Sequence, residues 1–150
     1  MTSTMHHPVL ITGGAGYIGS HAMLALLDTG REAVVVDDLS TGRRAAVPTG
    51  VPFYEGKIAD NALIGQIIKE NGCRSVLHFA GSIVVPDSVE KPLDYYQNNV
   101  AGSAALLRAC LDNGIERFVF SSTAAVYDGA GGEPLSEDGV QAPANPYGRS

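Results

Sequence analysis

The chain has 150 residues, is 45% hydrophobic and 17% charged, and carries a formal net charge of −6. That composition suits one soluble globular domain with a sizeable core, and the length is too short for two. The acidic balance and a pI near 5.0 exclude a general nucleic-acid binder, and no apolar run approaches the ~20 residues of a membrane span.

The N-terminal stretch MTSTMHHP lacks the basic-then-apolar order of a signal peptide. Its adjacent His6 and His7 are not spaced as metal ligands, so no metal site is expected. The first predicted strand is PVLIT (8–12), an apolar run that ends in glycines. From Tyr17 the pattern turns helical, with Ile18, Ala22, Ala25 and Leu26 recurring at three- and four-residue intervals until Gly30. AVVVDD (33–38) reads as a second buried strand ending in acid, followed by GRR (42–44), the densest basic spot, read as a solvated loop. VPFYEG (51–56) reads as a third, weaker strand. Asp60 then caps a helix that places Leu63, Ile64, Ile67 and Ile68 on one face and closes at Asn71-Gly72.

SVLHFA (75–80) is the fourth predicted strand. Pro92 opens a long helix carrying Leu93, Tyr96, Val100, Leu106, Leu107 and Cys110, ended by Asn113-Gly114. RFVFSS (117–122) is the fifth strand. Near the last residue, Asn145 and Pro146 are an N-cap and a first helical position. The two cysteines, Cys73 and Cys110, are solitary, which points to buried thiols in a reduced, cytoplasmic setting.

Strands alternating with helices predict an α/β fold: a doubly wound parallel sheet with right-handed crossovers and strand order 3-2-1-4-5. Ligands of such sheets bind beyond the carboxyl ends of the strands, where the order reverses. Thr12, Asp37, Ala80 and Ser121 to Thr123 fall at those ends.

Two features there carry chemistry. In ITGGAGYIGSH, Gly14, Gly16 and Gly19 fit G-x-G-x-x-G, while Gly13, Gly16 and Gly19 fit G-x-x-G-x-x-G. Such glycines let backbone amides approach a pyrophosphate at a helix N-terminus. Asp37, 18 residues after Gly19, can accept hydrogen bonds from the adenosine ribose hydroxyls and would repel a 2′-phosphate, which favours NAD over NADP. Arg43 and Arg44 are the counter-signal. At the end of strand five, SSTAAVY offers hydroxyls, and Tyr147 stands 24 residues after Thr123 at the opening of a helix.

The blocks VLITGGAGYIGSHAMLALLDTG, VVVDDLSTG, VLHFAG, SVEKPLDYYQNNVAGSAALL, FVFSSTAAVY and PYGRS together resemble the UDP-glucose 4-epimerases of the extended short-chain dehydrogenase/reductase family, from about residue 8 to the last residue. The resemblance implies a Rossmann-like NAD-binding domain over 1–150. It also implies an N-terminal part of a longer enzyme, with its sheet incomplete on the C-terminal side and its nucleotide-sugar-binding part lying further on. It implies NAD as cofactor, UDP-glucose and UDP-galactose as substrates, and a homodimer for the complete enzyme. Catalytic roles map to Tyr147 as the base and to Thr123, which holds the sugar's 4-oxygen. The cofactor set maps to Gly13, Gly16, Tyr17, Ile18, Gly19, Asp37, Asp38, Ile58, Phe79, Ala80, Gly81, Asn98, Ser121 and Tyr147. Tyr95, Tyr96, Leu106 and Leu107 fall to core packing or to the family's helical dimer face.

In that family a lysine four positions beyond the tyrosine lies under the phenol, on the same helix face. Here it would be residue 151. Its task is electrostatic: a phenol of pKa about 10 needs roughly 4 kcal/mol of preference for the anion to ionise near pH 7. A 150-residue polypeptide is therefore expected to be inactive as an epimerase. Lys57, Ile83 and Asp128 depart from the family pattern, which expects an aspartate near the adenine, a lysine near the cofactor and a glycine. Two other readings compete. One is a related 4,6-dehydratase, disfavoured because Ala124-Ala125 stands where dehydratases carry Asp-Glu. The other is a non-catalytic NAD-binding module.

Overall fold

A computed structural model describes residues 7–127 and 134–150; His6 and Asp128, singled out above, lie outside them. The described chain forms two compact units. One is built from the chain up to Ala80 together with Gly102–Ser121, the other from Gly81–Ala101 and Ser122–Ser150.

The first unit is a parallel sheet of β1 (Val9–Thr12), β2 (Ala33–Asp37), β3 (Phe53–Glu55), β4 (Ser75–His78) and β5 (Arg117–Phe120). Its spatial order is β3-β2-β1-β4-β5, as the alternating pattern predicts. The central strands β1 and β2 are rich in β-branched residues and buried along their whole length, because both faces of the sheet are covered. The pleat sends alternate side chains to opposite faces. Leu10, Val34, Val36 and Val76 pack with Ile64, Ile67 and Ile68 of α2 (Asn61–Asn71) and with Leu106, Ala109 and Cys110 of α5 (Gly102–Asp112). On the other face Val9, Ile11, Ala33 and Val35 pack with Met23, Leu26 and Leu27 of α1 (Tyr17–Asp28).

α2 begins and ends where its caps predict: the Asp60 side chain accepts from the Leu63 N–H, and Gly72 takes the left-handed conformation at φ 65°. α1 differs from its predicted face. Ile18 is 58% exposed, and Gly19, Ser20 and Met23 turn inward instead, because Gly19 lies against the preceding loop and so sets the helix's rotation. β4 and β5 each end two residues before their predicted limits. At the sheet edge, Val119 and Phe120 of β5 are 57% and 58% exposed. Cys73 and Cys110 are buried free thiols, and burial pushes both up to about 11.

The second unit contains α3 (Val85–Glu90), which no sequence signal announced, then α4 (Pro92–Tyr95), a π-helical turn (Tyr96–Ala101), a 3-10 turn (Ala124–Val126) and α6 (Pro146–Arg149). The single long helix expected from Pro92 is thus divided into α4, the π turn and α5. Of the two aromatics and two leucines assigned above to core or dimer face, Tyr95 and Leu106 are buried, while Tyr96 and Leu107 are exposed. Among its described residues this unit buries only Ser88 and Tyr95. Hydrogen bonds from side chains to the backbone hold it together. Ser88 Oγ donates to the Val85 carbonyl and Tyr95 Oη to the Val84 carbonyl, both at 2.6 Å.

Candidate functional site

The glycine loop leaves β1 with Gly13 at φ 70°, a conformation that side chains with a Cβ rarely adopt. A Cβ there would come within 2.6 Å of the Ala80 backbone nitrogen, so the loop lies flat on the end of β4. A Cβ on Gly19 would strike the Gly13 carbonyl oxygen. The absence of a side chain at Gly19 lets α1 start this close to the loop. No side chain caps the first turn of α1, and that turn holds no acidic residue. Its first amide groups therefore have no side-chain acceptor and face outward with the positive end of the helix dipole. Tyr17 and Ile18 stand exposed there, and the Tyr17 ring lies 4.6 Å from that of His21.

Asp37, at the end of β2, is 8% exposed. One carboxylate oxygen accepts from the Ala15 N–H and the other from the Leu39 N–H, both at 2.9 Å. The first bond ties the glycine loop to β2. The second holds Leu39 at φ 55°, a left-handed position unusual for leucine. The Arg43 N–H completes the arrangement by donating to the Ala15 carbonyl at 2.9 Å. Each oxygen of Asp37 keeps a further lone pair for an incoming hydroxyl. Arg44 is committed elsewhere: one Nη donates to the Val47 carbonyl at 3.0 Å, and the guanidinium lies 4.5 Å over the Phe53 ring. Asp38 is exposed and accepts from the N–H and hydroxyl of Ser40. Ile58 is 7% exposed within the core cluster, Phe79 and Ala80 are half-buried against the core, and Lys57 and Ser121 are exposed. The Ser121 N–H donates to the His78 carbonyl at 3.1 Å.

His78 itself went unremarked in the sequence, although a lone histidine inside the apolar run SVLHFA was the available signal. It is 1% exposed. Nδ1 lies 2.6 Å from Thr12 Oγ1, and Nε2 lies 2.9 Å from Ser103 Oγ. Phe118 and Phe120 cover the ring. Burial lowers its pKa to about 4, so a neutral imidazole joins the end of β1 to the first turn of α5.

In the second unit, Asn145 Oδ1 accepts from the Gly148 N–H at 2.8 Å, which starts α6 and sets Tyr147 on its first turn. A Cβ on Gly148 would collide with the Ala125 carbonyl oxygen. Glycine is therefore what lets α6 pack directly on the 3-10 turn that follows Thr123. Thr123 Oγ1 accepts from the Ala125 N–H at 3.1 Å, leaving its own O–H free to donate. Tyr147 is half-buried, with Tyr95 edge-on to its ring at 6.4 Å. Thus the Thr123 hydroxyl and the Tyr147 phenol, 24 residues apart in sequence, are carried by packed elements, the 3-10 turn and α6. Asn98 is exposed and donates to Ser82 Oγ at 3.0 Å. Its neighbour Asn99, not singled out in the sequence, makes more contacts: Oδ1 accepts from the Ser82 N–H at 2.8 Å, and Nδ2 donates to the Ser82 carbonyl and to Ser150 Oγ, both at 3.0 Å. Gly81 lies beside it, and Ile83 is 66% exposed. Among the described residues no cluster of side chains suits a metal ion.

The family model described as the NAD dependent epimerase/dehydratase family matches residues 9–150. The UDP-glucose 4-epimerase of Azospirillum brasilense is 56% identical over 142 residues, which are 95% of this chain and 41% of that protein. Among solved structures, a UDP-glucose 4-epimerase superposes with a TM-score of 0.92 at 42% identity, covering 95% of this chain and 44% of that one. The UDP-glucose 4-epimerase from Brucella ovis in complex with NAD gives a TM-score of 0.90 at 43% identity, again with 95% and 44% coverage. The chain spans less than half the length of these relatives. On the match of sequence and fold, the chain belongs to the NAD dependent epimerase/dehydratase family.

Proposed function

We propose that the chain is the NAD-binding part of a UDP-glucose 4-epimerase. The observation that carries this reading is the uncapped first turn of α1 behind the Gly13–Gly19 contact, with Asp37 fixed beside it. The first-turn amides and the helix dipole suit a diphosphate, and a Cβ on Gly13 would strike the Ala80 backbone, as one on Gly19 would strike the Gly13 carbonyl, so either would push the loop out of this shape. Asp37 would accept from the ribose hydroxyls with its spare lone pairs. Because Arg44 is already engaged, it offers little to a 2′-phosphate, which supports NAD over NADP. Tyr17, Ile18, Asp38, Phe79, Ala80, Gly81, Asn98 and Ser121 complete the cofactor set in this reading. Ile58 would act from within the core.

Held by the glycine loop and Asp37, NAD would supply reversible hydride chemistry at C4 of the sugar. Tyr147 would remove and restore the proton of the 4-hydroxyl. Thr123 would donate its free O–H to the 4-oxygen. UDP-glucose and UDP-galactose are the substrates by this reading. By this reading the complete protein is a homodimer of the cytoplasm. Among the described residues no helix is long and apolar enough to cross a membrane. A polypeptide ending at Ser150 has no cation four positions after Tyr147, and Arg149 donates instead to the Pro143 carbonyl at 3.1 Å. It is expected to bind NAD and to turn over nothing.

Titration with NAD and NADP tests the first half: saturable binding that prefers NAD is expected, and no binding by the folded chain refutes it. A coupled assay of UDP-galactose conversion by the complete gene product tests the second. Binding without turnover there would leave a non-catalytic NAD-binding module. Turnover by the 150-residue polypeptide at the complete protein's rate would refute the part assigned to the missing cation.

A further inference from the structure

The π turn places two adjacent asparagines around one residue. Asn99 takes both backbone groups of Ser82, accepting from its N–H at 2.8 Å and donating to its carbonyl at 3.0 Å. Asn98 takes the Ser82 hydroxyl at 3.0 Å. Every polar atom of Ser82 is thereby engaged. The remaining N–H of Asn99 donates to Ser150 Oγ at 3.0 Å, and that hydroxyl donates in turn to the Tyr147 carbonyl at 2.9 Å. One carboxamide therefore joins the segment after Gly81 to the helix that carries Tyr147. A side-chain amide has two donors and two acceptor sites; here both donors are used, and Oδ1 also receives the Asn98 amide at 3.3 Å. Gly81 is its neighbour: a Cβ there would lie in ordinary contact with Asn99 Oδ1 at 3.4 Å. On the same stretch of chain, the Tyr95 ring sits edge-on to Tyr147, so the phenol is steadied from a second side. π turns recur at functional sites because they re-aim side chains out of the regular helical register.

We propose that Asn99 is a positioning residue for the reaction assigned above: it holds the Gly81–Ser82 segment and the Tyr147 helix in one fixed relation while touching neither substrate nor cofactor. This rests on the assignment of Tyr147 as the base. Small misplacements of a reacting group cost rate far more than they cost binding.

The test has two arms. In the complete gene product, Asn99→Ala is expected to lower kcat by about 10- to 100-fold with KM for the UDP-sugar changed less than about twofold. Ser150→Ala, which cuts only the arm to α6, is expected to lower kcat in the same sense, and Ser150→Thr, which keeps the hydroxyl, to recover most of it. The double variant should be no worse than Asn99→Ala alone, because both act through one hydrogen bond. Parallel loss of kcat and of affinity, or a kcat within about twofold of wild type, would overturn the proposal.

The second arm needs no activity. Amide hydrogen exchange at Ser82 should speed up about tenfold in Asn99→Ala, while in Asn99→Asp, which keeps the acceptor, the amide stays protected. Unchanged exchange at Ser82 in Asn99→Ala overturns the proposal. If the wild type binds NAD but epimerises nothing, the functional reading falls and the exchange arm decides the clamp by itself.

Discussion

The unit that carries the sheet and the unit that carries Tyr147 are held together by different forces. In the first, Leu10, Ile11, Val34, Val35, Val36, Ile64, Ile67 and Val76 are fully buried, and the hydrophobic effect dominates. In the second, only Ser88 and Tyr95 are buried among the described residues. Its segments are joined by Asn99 and Tyr95 reaching backbone groups, and its short turns are capped by Asn145 and Thr123. Each such bond contributes about 1 kcal/mol net, whereas a buried aliphatic side chain contributes about 1.5–3 kcal/mol. The contrast separates tasks: the first unit supplies stability and a rigid cradle, and the second supplies directed polar groups at lower local stability.

Four measurements break or sharpen that division. The largest effect belongs to Tyr147→Phe in the complete gene product. Turnover in a coupled UDP-galactose assay should fall by about 10²- to 10⁴-fold, far more than NAD affinity by titration. A matching loss of NAD affinity would mean that the phenol serves binding instead. Next, Ile64→Ala in the first unit should cost about 2–5 kcal/mol in urea unfolding. Val89→Ala, at a residue 62% exposed in the second unit, should stay within about 0.5 kcal/mol. Equal costs would erase the distinction.

The third measurement uses pH. His78 titrates near 4 in the folded chain against 6.5 when unfolded, so between those values the unfolded state binds the extra proton. Its contribution is therefore complete above pH 6.5 and is lost as pH falls toward 4, to a total of about 3 kcal/mol. Thermal or urea unfolding across that window should show the stability advantage of wild type over His78→Gln shrinking by this amount; a constant gap refutes the neutral, buried imidazole. The smallest effect is at the exposed ion pair Arg108–Asp112, 2.9 Å apart one helical turn along α5. Asp112→Asn should change stability by less than about 0.5 kcal/mol.

Much of the first unit was legible in its residues. The apolar runs at 9–12 and 33–36, rich in β-branched residues, the Asp60 cap and the Gly72 stop are local signals, and local sterics and hydrogen bonding enforce them. The Gly13 and Gly19 positions and Asp37 were legible for the same reason, since a tight turn and a strand-ending acid leave a mark at fixed spacing. α3 was not legible: Val84, Val85 and Val89 remain exposed, so no buried apolar face marked it. The inward rotation of α1 was misread because Gly19, rather than Ile18, meets a neighbour.

By itself, then, the order of residues determined the five strands, their 3-2-1-4-5 order, helices α1 and α2 and the candidate phosphate loop, because apolar runs, caps and glycines mark each element locally and alternating strands and helices restrict the topology. Only the tertiary structure decided that Asp37 staples the glycine loop, that His78 bridges two hydroxyls, and that a π turn aims Asn99 at Ser82 and Ser150. Those arrangements depend on distances between groups far apart in the chain, and packing alone sets such distances.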